Sequence, residues 1–183
     1  TTDDVMEAAG DAMLVEPYLP TIGLGAQFVA RAGSDAQKKA ILPAVVEGKL
    51  KMAFAHTEKG ARYNLAKVDA KASKAGGGWE ITGEKFVVLG APAADTFVVS
   101  GRTEKGLSLF LVKKESAKVK AYVTLDEQRA GDVSFSKAPA ELLGTEGGRV
   151  RARARALHQQ GRRRRTAEIL ERAERGAGLT HDD

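Results

Sequence analysis

Residues 52–56 read Met-Ala-Phe-Ala-His, and from here the spacing of apolar residues changes from that of a helix to that of strands. Short runs rich in β-branched and aromatic residues follow at 67–75, 79–82, 85–89, 96–100, 108–112, 119–124 and 132–135. The glycines at 76–78 are typical of a hairpin loop. Short strands separated by turns favour an antiparallel β-barrel-like domain over a parallel α/β sheet.

The residues before this β region have helical spacing. Apolar residues recur at helical intervals on both sides of Pro17 and Pro20, which break the pattern. A third helix begins after Ser34, because Ser34 and Gln37 have the spacing of a capping box, and we expect Pro43 to interrupt or kink it. The predicted fold class is therefore α+β, with N-terminal helices followed by the antiparallel β-barrel-like domain.

The formal net charge of +5 is distributed unevenly along the 183 residues. Residues 1–148 contain equal numbers of basic and acidic side chains, so the whole excess lies in 149–183. That segment is rich in Arg, and we interpret it as an irregular tail that is frameshifted or disordered. Arg runs can bind nucleic acid, but this one lacks aromatic residues that would stack on bases. We therefore do not expect nucleic-acid binding.

Composition excludes several other classes of protein. The absence of cysteine excludes disulfides, thiolate metal sites and a Cys nucleophile, and the three histidines are too far apart in sequence to suggest a metal site. No apolar run approaches the roughly 18 residues of a membrane-spanning helix. The first residues, Thr-Thr-Asp-Asp, are unlike a signal peptide. We expect a cytoplasmic protein, and a chain that begins inside a longer one because it does not start with Met.

Six segments, in order, resemble the acyl-CoA dehydrogenase family. Residues 53–60 (Ala-Phe-Ala-His-Thr-Glu-Lys-Gly) resemble the first flavin-contacting strand of that family. Residues 81–90 resemble its hairpin, which ends in Gly-x-Lys, and its second flavin strand. The remaining matches are at 37–48, 94–100, 106–112 and 142–147. The loop at 60–65 is similar to that of the small-subunit type of pimeloyl-CoA dehydrogenase.

The resemblance implies three parts to the chain. Residues 1–50 correspond to a partial N-terminal helical domain and 51–148 to the middle β-barrel domain. Residues 149–183 form the tail. The chain is thus expected to be truncated at both ends relative to the family.

The resemblance also implies a function in fatty acid metabolism. Family members are FAD-dependent oxidoreductases that desaturate an acyl-CoA thioester between its α and β carbons: the flavin accepts hydride from the β carbon while a Glu removes the α proton. No catalytic residue is assigned here, because 149–183 does not resemble the helices that carry this Glu. We therefore expect a fragment that is inactive by itself. The alternative is a non-catalytic scaffold or partner subunit, in an acyl-CoA dehydrogenase-like complex, that binds no flavin.

The implied partners are an acyl-CoA substrate, an electron acceptor that the sequence does not identify, and further subunits of an oligomer. The implied FAD-binding residues are Phe54, His56 and Thr57 in the first flavin strand and Val87 and Leu89 in the second. Thr57 keeps the family's hydroxyl donor, whereas Val87 and Leu89 replace an aromatic residue and a Thr. A lost hydrogen bond of this kind costs about 0.5–1.5 kcal/mol, so we expect weak FAD binding.

The resemblance places Arg62 and Tyr63 at the substrate. The Arg62 guanidinium can bind a carboxylate through two hydrogen bonds, and Tyr63 stands at the family's serine position near the thioester. Each candidate has an ordinary alternative: Arg62 as a solvated loop residue, Thr57 as a strand residue, and His56 as a half-buried strand residue.

Overall fold

The structure is a computed structural model and describes residues 2–12, 17–61 and 64–147 of the 183-residue chain. The predicted tail, 149–183, lies outside the described residues. The helices are α1 (Thr2–Asp11), a π-helix (Leu19–Ala26), α2 (Gln27–Ala32) and α3 (Asp35–Val46). The strands are β1 (Met52–Ala55), β2 (Lys71–Ala75), β3 (Gly78–Leu89), β4 (Thr96–Thr103), β5 (Gly106–Lys113), β6 (Lys118–Val123) and β7 (Arg129–Leu142), with a 3-10 turn (Lys114–Ser116) between β5 and β6.

Helix α3 begins at the predicted capping box. The Ser34 Oγ accepts the backbone N–H of Gln37 at 3.2 Å, and the Gln37 Oε1 accepts the backbone N–H of Ser34 at 3.0 Å. The helix continues through Pro43 to Val46, so the predicted interruption does not occur there. Gln37 also donates to the carbonyl of Leu142 at 2.9 Å, which ties α3 to the end of β7.

The π-helix fixes the helical segment to the start of β1. The Thr21 hydroxyl donates to the Met52 carbonyl at 3.1 Å and accepts the Met52 N–H at 3.2 Å. Gly25 passes so close that a Cβ there would lie 2.5 Å from the Met52 Cβ. Of the two prolines at the predicted break, Pro20 lies in the first turn of the π-helix and Pro17 precedes that helix; residues 13–16 lie outside the described residues.

Five strands close into a barrel in the order β2–β3–β7–β5–β4, and β4 returns to β2 through the pairing of Lys71 with Arg102. β1 extends the sheet beside β4, and β6 extends it beside β7. The predicted barrel is confirmed, and it is mixed: β1–β4 and β2–β4 are parallel, and the other pairings are antiparallel.

The barrel interior holds the main core of the described residues. Its largest members include Phe97, Phe110 and Ile81, which are fully buried, and Trp79 packs on Phe110 with ring centroids 5.4 Å apart. The predicted hairpin loop is confirmed as the two-residue turn between Ala75 and Gly78. In the part of the chain that the structure describes, no helix has the length and apolar character needed to cross a bilayer.

Candidate functional site

The two segments that were predicted to bind flavin meet at one edge of the sheet. The first leaves β1 at Ala55 and continues as coil through Glu58, and the second is the last part of β3. The backbone N–H of Phe86 donates to the Thr57 carbonyl at 2.8 Å, which joins them directly. Residues 54–57 and 86–89 are therefore neighbours, although about thirty positions separate them in sequence.

The first segment presents two stacked rings and a hydroxyl. The Phe54 and His56 rings lie 5.3 Å apart at an angle of 13°, and Phe54 also packs 4.3 Å from Phe28 of α2. Both Phe54 and His56 are half-buried. Thr57 is exposed, and among the described residues its hydroxyl has no hydrogen-bond partner. This hydroxyl is free to donate to a ligand.

A buried ion pair lies directly beneath this junction. The Lys85 ammonium is fully buried and lies 2.5 Å from a carboxylate oxygen of Glu58, whose exposed fraction is 6%. The same ammonium donates to the Ser100 Oγ at 2.9 Å and to the His56 carbonyl at 3.3 Å. All three of its protons therefore have acceptors, which is what a buried lysine requires.

The Glu58 carboxylate also closes the loop that follows it. It accepts the backbone N–H of Asp69 at 2.5 Å and that of Ala70 at 3.1 Å. Arg102 of β4 adds a second anchor to the same loop, because its guanidinium donates to the carbonyls of Val68 and Ala66 at 3.0 and 3.1 Å. The ends of this loop are thus fixed to the barrel.

The predicted substrate contacts belong to the same loop. Arg62 and Tyr63 lie outside the described residues, so the structure gives no position for either side chain. Their predicted role stays a prediction.

Burial and the ion pair shift the pKa values of the cluster. Burial lowers the pKa of Lys85, although the hydrogen bond and charge of Glu58 oppose this. Burial by itself raises the pKa of Glu58, but hydrogen bonds from Lys85 and Asp69, with the Lys85 charge, outweigh it and the net pKa is lowered. Burial and the Lys85 charge lower the pKa of His56. The lowered pKa values favour the carboxylate form of Glu58 and the neutral form of His56 at neutral pH.

Ser100 fixes the tautomer of His56. The His56 Nδ1 lies 2.9 Å from the Ser100 Oγ, which already accepts a proton of Lys85. A lysine ammonium only donates, so the serine hydroxyl is left to donate its own proton to Nδ1. His56 consequently carries its proton on Nε2, the assignment that this network favours.

Acidification should destabilise this domain in two stages. The unfolded chain takes up protons at the ordinary pKa values of 6.5 for His56 and 4.5 for Glu58, whereas the folded protein takes them up at lower pH. Stability is therefore lost as the pH falls below 6.5, and again below 4.5. The thermal midpoint of His56→Gln, compared with that of the original chain across this range, should lack the first stage. Equal loss below pH 6.5 in both proteins would contradict this.

The second segment contains Val87 and Leu89. The backbone N–H of Val87 is already bound, to the Tyr122 Oη at 3.1 Å and the Asp132 Oδ1 at 3.2 Å, so it is not a free donor for a ligand. The Val87 side chain is 52% exposed. Leu89 is half-buried and pairs with Ala130 of β7.

A groove of about 290 Å³ adjoins this second segment. It lies between β3, β6 and β7, and Phe86 and Val119 provide apolar walls. Charged side chains of both signs surround it, with Lys118 and Lys120 opposed by Glu84. The mixed charge gives the groove no clear preference for an anionic or a cationic ligand.

Sequence reasoning missed the residues that support the site. Glu58 and Lys85 entered the sequence analysis only as members of the segments 53–60 and 81–90, and Ser100 was assigned no role. The available signal was the charge of Lys85 next to the apolar run Phe86-Val-Val-Leu89, since an ionised side chain at the start of such a strand requires a partner. No pattern in the sequence indicated the hydrogen bond between Tyr122 and Asp132.

The family model described as "Acyl-CoA dehydrogenase, middle domain" matches residues 53–138. Acyl-CoA dehydrogenase FadE12 of Mycobacterium tuberculosis is 39% identical over 100 residues, which are 55% of this chain and 25% of that protein. The 3-(aryl)acrylate reductase of Clostridium sporogenes is 31% identical over 152 residues, or 79% of this chain and 35% of that protein. The chain thus spans about a quarter to a third of these curated relatives.

Solved structures show the same fold. The ChsE4–ChsE5 complex from Mycobacterium tuberculosis contains a chain that matches with a TM-score of 0.74 at 21% identity, covering 84% of this chain and 42% of that one. The Tcur3481–Tcur3483 steroid ACAD G363A variant matches with a TM-score of 0.63 at 30% identity, covering 68% and 34%. Residues 53–138 therefore belong to the acyl-CoA dehydrogenase family, as its middle domain.

Proposed function

We propose that this chain supplies the FAD-binding β-domain of an acyl-CoA dehydrogenase that desaturates an acyl-CoA thioester between its α and β carbons. The observation that carries the proposal is the junction between 54–57 and 86–89, closed by the hydrogen bond from Phe86 to Thr57. It brings the residues expected to hold FAD, Phe54, His56, Thr57, Val87 and Leu89, to one sheet edge.

The chemistry of these residues fits a flavin. A flavin ring presents carbonyl oxygens and ring nitrogens that accept hydrogen bonds, and an apolar surface. The exposed Thr57 hydroxyl has no partner among the described residues and can donate to such an acceptor. The exposed Val87 side chain offers a small apolar contact. When bound, FAD would supply the hydride acceptor, while the protein orients it on a rigid edge.

The rigidity of that edge comes from the buried cluster. Lys85 and Glu58 hold the exit of β1 to β3, and Ser100 connects them to β4. A site fixed to strands in this way keeps its donors in place better than one on free loops. We further propose that Arg62 and Tyr63 contact the acyl-CoA, and that the protein acts within an oligomer.

FAD titration of the full chain, followed by fluorescence quenching, tests this function. Thr57→Val removes the hydroxyl but keeps the side-chain shape, so affinity should fall between about twofold and tenfold. Val87→Trp with Leu89→Thr adds an aromatic surface and a hydroxyl, so affinity should rise about tenfold.

Thr145→Val is the matched control, because Thr145 is an exposed Thr beyond the end of β7 and should leave FAD affinity unchanged. Absence of FAD binding by the original chain and by the Val87→Trp, Leu89→Thr variant would refute the proposal. The scaffold alternative, in which the domain binds no flavin, would then be preferred.

A further inference from the structure

Val87 has an unusual backbone conformation for its side chain. Its φ is +50°, in the left-handed region that β-branched residues rarely adopt, at a cost of order 1–3 kcal/mol. The side chain is 52% exposed, so burial of its own methyl groups does little to offset this cost. Something else in the fold must hold the residue in place.

The strain arises at a β-bulge. Lys85 pairs with Val133 and Val88 pairs with Gly131, so that two residues of β3, Phe86 and Val87, face Asp132 alone on β7. A bulge of this kind breaks the regular ladder and redirects side chains, and bulges are frequent next to functional sites. Here Phe86 is also the residue whose N–H reaches the Thr57 carbonyl at 2.8 Å.

A Tyr–Asp pair holds the bulge from the side of β6 and β7. The Val87 N–H donates to the Tyr122 Oη at 3.1 Å and to the Asp132 Oδ1 at 3.2 Å. The Tyr122 hydroxyl in turn donates to the same Asp132 oxygen at 2.8 Å. Hydrogen bonds to an ionised carboxylate are among the stronger ones, so the three groups form a closed triangle around the strained peptide.

We propose that Tyr122 and Asp132 are positioning residues of the FAD site, which act by holding the Val87 bulge. The proposal rests on the proposed function. Their role is to keep Val87 and the Phe86–Thr57 hydrogen bond in register, so that the two FAD-binding segments present one continuous edge. Neither residue lies in those segments, and their effect on FAD passes through Val87.

A double-mutant cycle tests this on the full chain. Tyr122→Phe removes the hydroxyl and should speed hydrogen exchange of the residue 87 amide, and weaken FAD binding, each between about twofold and tenfold. Val87→Gly adopts a positive φ without strain. In the Val87→Gly background, Tyr122→Phe should therefore change FAD affinity by less than twofold. This loss of the Tyr122→Phe effect in the Val87→Gly background distinguishes a positioning role of Tyr122 from a general contribution to the fold.

Lys137→Gly is the matched control, because Lys137 is another non-glycine residue at positive φ, +48°, on β7. It should not rescue Tyr122→Phe.

An equal loss of FAD affinity by Tyr122→Phe in the original chain and in the Val87→Gly background would overturn the proposal. Unchanged hydrogen exchange of the residue 87 amide in Tyr122→Phe would also overturn the proposal, and this measurement does not require FAD. If the original chain binds no FAD while exchange at residue 87 rises as expected, the proposed function fails, and with it the role in FAD binding, but the pair still holds the bulge.

Discussion

Replacing Lys85 with methionine should lower the free energy of unfolding by about 3–5 kcal/mol, because it leaves the Glu58 carboxylate buried without its counter-ion. Glu58 is 6% exposed, and Lys85 lies 2.5 Å from it. The two backbone N–H groups of Asp69 and Ala70 cannot replace a full positive charge. Urea unfolding at neutral pH, with the slope compared between variants, measures the loss.

Two variants make this test specific. Lys118→Met removes an exposed lysine of β6 and should change stability by no more than about 0.5 kcal/mol. Lys85→Met combined with Glu58→Gln removes both charges, and its loss should be smaller than the sum of the single losses. Strict additivity would show that the ion pair contributes nothing beyond the packing of its two side chains.

Replacing Gly83 with alanine should cost at least about 2 kcal/mol, because it combines an overpacked contact with an unfavourable backbone conformation. Gly83 has a φ of +156°, and a Cβ there would lie 2.6 Å from the Cβ and 2.8 Å from the Cα of Ala70. Ala70 cannot retreat freely, since its N–H is bound to Glu58 at 3.1 Å. Thermal and urea unfolding both report the loss.

Gly78→Ala is the control for this substitution on the same strand. Its added Cβ would meet only the Ala75 carbonyl at 3.9 Å, an ordinary van der Waals distance. We expect a change within about 0.5 kcal/mol. A comparable loss in both variants would mean that glycine is needed along β3 for a reason other than the approach of Ala70.

Features encoded by neighbouring residues were predicted correctly. The start of α3 depends on two side chains three positions apart, Ser34 and Gln37, and the turn after Ala75 depends on consecutive glycines. The barrel was predicted from short strand-like segments that recur between turns. The runs 79–82 and 85–89 were predicted as separate strands, but they form one strand, because β3 passes through irregularities near Gly83 and Val87 without losing its partner β7.

Features that join distant residues were not predicted. The parallel pairing of β1 with β4, between Met52 and Thr96 at its start, depends on how the barrel closes. For the candidate site, the family resemblance identified 54–57 and 86–89 as candidates, and the structure brings them together. The Lys85–Glu58 pair beneath them depends on the same closure. The π-helix could not be foreseen either, because the Thr21–Met52 hydrogen bonds stabilise it from outside the helix.

The position of β7 has a consequence for biosynthesis. β7 pairs with β3, β5 and β6, and its pairing with β3 joins residues as far apart as Trp79 and Ala140. It is also the last strand of the barrel to be translated, so β3 has only its β2 hairpin partner until then. Such non-local sheets fold slowly, on roughly the millisecond-to-second scale. The nascent barrel therefore keeps open strand edges until β7 is translated, and such edges are prone to mispairing and aggregation.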